Sequence, residues 1–211
     1  MTFYEIILSI DSFILSFYHS LAESAGVVLT PLMKLITLVG EKGILMFLLA
    51  AVLLLFPKTR RAGVCIFGAV CCGALITNII LKDAVARLRP FEAEAIFNEW
   101  WQFVGSPAED GFSFPSGHVT AAMSGMLALC LTRGKKWIAP SVIYVLLMAV
   151  SRNYLMAHYP SDVVAAILVG AFSAVIAYMI TNLIFAFLEK RKENKFFAFL
   201  LDFEPIKLKK E

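Results

Sequence analysis

Five long apolar stretches, at residues 43–57, 63–81, 116–132, 137–151 and 162–188, restrict what this chain can fold into more than any other feature. Each approaches the ~20 residues a helix needs to cross ~30 Å of hydrocarbon, and each is bounded by charge, Pro or Gly. Inside lipid every backbone N–H and C=O must be satisfied within the protein, so only helices or closed barrels can span. No alternating strand pattern appears, and the expected fold is therefore all-α, a polytopic membrane helix bundle with five firm spans. Composition agrees: 60% of residues are hydrophobic and 17% charged, with a mean hydropathy of +0.79, which excludes an ordinary water-soluble domain. The net charge of +3 lies in short clusters between apolar runs, which points to membrane topology and not to nucleic acid.

Those clusters orient the spans. Residues 58–61, 133–136 and 190–195 are basic and alternate so as to share one side, which the positive-inside rule makes cytoplasmic. The opposite ends, residues 82–90, 115–118 and 151–162, then converge at the extracytoplasmic surface. One membrane-embedded domain over residues 1–211 is expected. In residues 1–40, Asp11, His19, Glu23 and Lys34 interrupt apolar sequence, which suits either interfacial amphipathic helices or a sixth span. The first residues lack the basic region and cleavage site of a secretory signal. Residues 189–211 read as a cytoplasmic tail with an interfacial anchor at 196–203. Between spans, residues 91–111 form a polar loop whose Trp100, Trp101 and Phe103 suit the headgroup level. The four cysteines lie in apolar runs without a metal-ligand pattern and read as core residues.

Lys82, Arg87, Arg89 and Arg152 sit on the side that positive charge disfavours. Arg87 is expected simply to snorkel to headgroups. Lys82 and Arg89, seven residues apart, would lie about 10 Å apart along one helical face and could close on an anion, before Pro90 stops the helix. An ammonium beside planar guanidinium forks suits phosphate. In the second segment, Ser116 is a natural N-cap, and Gly117 allows close backbone approach at the positive end of the following helix. A plain turn would explain those two residues but not His118. In the third, Asp162 follows His158 by four residues across a helix start, where a carboxylate can fix an imidazole tautomer and free the other nitrogen to attack. Two of only three histidines thus fall at the mouth that holds the excess cations.

Together the segments read KxxxxxxRP from Lys82, PSGH from Pro115 and SRxxxxxHxxxD from Ser151, in which the chain resembles the type 2 phosphatidic acid phosphatase superfamily. The resemblance covers residues 82–162 by motif. It implies that His158 attacks phosphorus to give a phosphohistidine, that Asp162 orients it, and that His118 is the general acid and then base. Lys82, Arg89, Arg152, Ser116 and Gly117 would bind the phosphate oxygens. No cofactor and no metal are expected, and the partners are a lipid phosphate substrate and membrane lipids.

The compact size, outward site and Arg89-Pro90-Phe91 run resemble bacterial carrier-lipid recycling enzymes, which makes undecaprenyl pyrophosphate the leading substrate by analogy. A phosphatidate or phosphatidylglycerophosphate phosphatase is the alternative. Vanadium-dependent haloperoxidases share related anion-binding motifs but are not built on membrane spans. An anion transporter or scaffold would use the cations and leave His118, His158 and Asp162 without a task.

Overall fold

The computed structural model describes residues 2–203. Every regular element among them is helical, as the apolar runs require. Three segments are long and apolar enough to cross a membrane by length and composition: Phe3–Leu54, Pro57–Ala93 and Pro160–Lys190. The expected five spans are met to that extent. The other two candidates, α7 (Gly117–Arg133) and α8 (Ile138–Tyr154), have 17 residues each, about 25 Å of helix and so shorter than a full hydrocarbon core.

The bundle centre is a trio, α3 (Pro57–Ala74), α7 and α9 (Pro160–Lys190), each packed on the other two, with α2 (Ile44–Leu54) against α3 and α8 closing one flank. Small residues allow this. A Cβ on Gly170 would lie 2.7 Å from Met123 Cβ and 2.8 Å from the Thr120 carbonyl, and one on Gly73 would lie 2.9 Å from Thr120 Cγ2. Helices without a hydrophobic force between them associate through such close approach. Ala69, Val70, Val119, Ala122, Leu129, Ala166 and Ala174 fill the interior. The outer faces are apolar too: Ile143, Leu146, Leu168, Phe172, Met179 and Leu183 are exposed, as a surface solvated by lipid demands and one solvated by water does not.

α1 (Phe3–Val39) begins with a capping box in which Thr2 and Glu5 exchange hydrogen bonds. It crosses the junction of α8 and α9, and its C-terminal part packs along α8: Asp11 meets Ser161, Thr30 meets Tyr154, Thr37 meets Ser151, and Gly40 lies against Met148 and Tyr144. The three basic connectors gather at the end of the bundle opposite that junction, where Arg133 donates to the Lys58 carbonyl and Arg60 donates to the Leu200 and Leu201 carbonyls of α10 (Lys195–Asp202). The expected anchor at 196–203 is thus a docked helix. Residues 204–211 of the expected tail lie outside the described residues.

Residues 91–111 differ from the loop expected. Two short helices, α5 (Pro90–Ala93) and α6 (Ala95–Phe103), occupy the first part; Phe97 is buried and Trp100 and Trp101 are half-buried, while Phe103 stays exposed. Trp100 stacks on His19 at 4.6 Å and Trp101 on Phe91 at 4.5 Å, so these rings fasten the segment to α1 and to itself.

Candidate active site

All three charged segments reach the end of the bundle that α1 crosses, opposite the basic connectors. The first leaves α3 through a π-helical turn, Leu75–Leu81, then the short α4 (Lys82–Val85), and breaks at Ala86, whose φ is 48°. Lys82 and Arg89 therefore do not share one helical face, which corrects the two-turn spacing argument. The left-handed residue bends the chain so that both still line one cavity. The second and third segments are the starts of α7 and α9, joined where the Ser116 amide donates to the Asp162 carbonyl at 3.4 Å.

The cavity measures about 620 Å³, and Lys82, Arg89, Gly117, His118 and His158 all line it. Arg152, Ser116 and Asp162 are fully buried around them. Arg152 reaches the cavity through Glu109, whose carboxylate it contacts while Arg89 Nη1 donates to the same carboxylate at 3.0 Å. Two guanidinium groups thus bracket one oxyanion. Around it several buried polar atoms have no hydrogen-bond partner among the described residues: Ser116 Oγ, His118 Nε2, and Arg152 Nε and Nη1. Leaving a buried donor unpaired costs about 1–3 kcal/mol, so a cluster of them marks a place shaped for a ligand. Ser116 stands at the N-cap position, but its hydroxyl makes no capping bond, contrary to the simple capping role. Arg89 is more than an anion ligand, since it also donates to the Gly111, Asp110 and Ala157 carbonyls and ties two loops together.

His158 turns Nδ1 toward Asp162 Oδ2 at 3.8 Å, longer than a hydrogen bond, and toward Ser113 Oγ at 3.4 Å. Asp162 Oδ2 accepts from Ser113 Oγ at 2.5 Å and from the Tyr159 amide at 2.9 Å. The His158 carbonyl accepts from Asn153 Nδ2 at 3.0 Å, which holds the loop. Burial pushes the His158 imidazole down to about 4; Asp162 opposes the shift, while Arg152 and Arg89 add to it. The ring is accordingly neutral, the form a nucleophile needs.

Arg87 does not snorkel. It is largely buried, donating from Nη1 to Asp162 Oδ1 at 2.6 Å and from Nη2 to Asp11 Oδ2 at 2.9 Å. Sequence reasoning gave Arg87 only a snorkelling role and assigned no role to Asp11, Ser113 or Glu109. Arg87, a cation on the disfavoured side, and Asp11, an acid in an apolar stretch, did carry a signal.

The chain matches the family model of the PAP2 superfamily over residues 62–186, more than half its length, and belongs to that family. Among curated proteins it is 31% identical over 133 residues to an undecaprenyl-diphosphatase of Sulfolobus acidocaldarius, covering 63% of this chain and 61% of the relative. It is 33% identical over 110 residues to a lipid A 4'-phosphatase of Bacteroides thetaiotaomicron, covering 50% and 47%. It is 38% identical over 92 residues to a phosphatidylglycerophosphatase B of Haemophilus influenzae, covering 39% and 35%. The chain therefore spans less than two thirds of the length of each of these relatives. No solved structure gives a significant match.

Proposed function

We propose that the chain is a membrane-embedded phosphatase that hydrolyses a lipid phosphate or pyrophosphate through a phosphohistidine. The observation that carries the reading is the gathering of two imidazoles, Lys82 and two guanidinium groups at one cavity, with unpaired buried donors around it. His158 Nε2 forms a bond to phosphorus as the P–O bond to the lipid or its phosphate breaks, and His118 gives its proton to the departing oxygen. Water then attacks the phosphohistidine while His118 takes the water's proton, releasing inorganic phosphate and free His158. Lys82, Arg89, Arg152, Ser116 and the Gly117 amide bind the non-bridging oxygens, a contribution of typically about 10²–10³ in rate per well-placed donor. Glu109 supports that assignment, because its carboxylate is held where two oxygens of a phosphoryl group would meet both arginines. The reaction needs no metal.

Undecaprenyl pyrophosphate is the leading substrate, supported by the relative named undecaprenyl-diphosphatase. A phosphatidylglycerophosphate or phosphatidate is the second reading, supported by the relative named phosphatidylglycerophosphatase. The basic end faces the cytoplasm by the positive-inside rule, and the site faces outward.

The test is phosphate release from a panel of lipid phosphates and pyrophosphates in excess EDTA, with His158→Ala as background. Full wild-type turnover and a silent variant are expected; a strict metal requirement or an active variant would overturn the mechanism. Repeated with a non-permeant short-chain substrate on sealed right-side-out and inverted vesicles, the same assay reads the side of the site. Turnover confined to inverted vesicles would reverse the orientation.

A further inference from the structure

Asp11 lies outside the region that the family model matches, yet it is buried to 1% exposure against the catalytic segment. Its Oδ1 accepts the Ser161 amide at 2.9 Å, and its Oδ2 accepts Ser161 Oγ at 2.6 Å and Arg87 Nη2 at 2.9 Å. Arg87 Nη1 continues to Ser161 Oγ at 2.7 Å and Asp162 Oδ1 at 2.6 Å, and the guanidinium lies 3.8 Å from the centre of the Tyr159 ring. A chain of contacts thus runs from α1 through Arg87 to the carboxylate beside His158. Asp11 caps the Ser161 amide in the first turn of α9, a bond that a neutral Asn or Ser can also accept, so the cap alone does not call for an ionised group in so buried a place, where a charge is expensive.

We infer that Asp11 is a positioning residue for the phosphoryl transfer, supplying through Arg87 the charge balance that lets Asp162 serve His158. The inference rests on the phosphohistidine reading. Asp162 and Arg87 alone would sum to zero, and Asp162 would be spent on its own ion pair. With Asp11 the buried trio carries one net negative charge. Phosphorylated His158 is an imidazolium with one positive charge, so the trio matches what develops on the ring as the N–P bond forms. The cationic groups on the other side of the ring, Arg89, Arg152 and Lys82, oppose that charge, and His118 and Glu109 complete the surroundings. The anchoring of Asp11 to Ser161 also fixes the start of α9, and with it the direction of the Asp162 side chain.

The experiment compares Asp11→Asn and Asp11→Ser with wild type, each normalised to folded enzyme. Loss of the negative charge makes His158 less basic, so kcat should fall about tenfold, the equivalent of roughly one pKa unit. KM should stay put, and the acid limb of kcat/KM should move to lower pH. The double variant Asp11→Asn/Arg87→Gln restores the net charge to minus one and should bring the limb back, which a structural role would not do. A folded neutral variant with the wild-type limb and kcat would overturn the inference. So would failure of both neutral variants to fold while Asp11→Glu folds, which would make the carboxylate purely structural. If wild type itself releases no phosphate from any lipid phosphate, the phosphatase reading fails, which is a distinct result.

Discussion

His158 shows how far a single residue's chemistry is set by what surrounds it. An exposed imidazole would be half protonated near pH 6.5, and a protonated ring cannot attack phosphorus. Burial, reinforced by Arg152 and Arg89, holds His158 down to about 4. Because the neutral form is the active one and its pKa is lowered, activity should persist as pH falls through 6.5 and be lost only toward 4. The pH profile of kcat/KM, corrected for ionisation of the substrate, checks this; an acid limb near 6.5 would contradict it. The eight site residues named from sequence all come to one place; the second and third motifs couple their side chains to helix starts that local sequence encodes, whereas Lys82 and Arg89 arrive by a bend that it does not. Ser113 and Glu109 were not legible. Neither sits in a periodic or capping pattern, and each acquires its partner only when separate loops meet.

At the level of elements, the starts of α7 and α9 follow from Pro, Ser and Gly, whereas the π-helical turn before Lys82 and the left-handed Ala86 follow from nothing in the local pattern. Alanine favours ordinary helix, and tertiary contacts override that preference here. The consequence is that Lys82 and Arg89 reach the cavity by a bend and not along a face. The α7 to α9 contact beneath the site depends on Gly170, where any Cβ meets the backbone of the facing helix at Thr120 and Ser124. Gly170→Val should force the helices apart and destabilise the bundle by about 1–3 kcal/mol, as overpacking does. Thermal unfolding in detergent would read this as a lower Tm, with activity falling alongside because Thr120 is two residues from His118. An unchanged Tm would mean the helices are not in such close contact.

Taken whole, the molecule separates two ends. One gathers the basic connectors and α10, and the other gathers the three motif segments under α1. That polarity was legible because apolar runs and charge clusters alternate along the chain. The coupling of α1 to the site was not, because Asp11, Arg87 and Ser161 are 76 and 150 residues apart in pairs that no local pattern predicts. Everything assigned to the other residues depends on His158 becoming covalently phosphorylated. Rapid quench of wild-type enzyme turning over a lipid substrate labelled at the transferred phosphate, followed by alkaline work-up and peptide mapping, measures this directly. The account predicts base-stable, acid-labile label on the peptide bearing His158 and none in His158→Ala. Turnover without label on that histidine, or label on another residue, would contradict it.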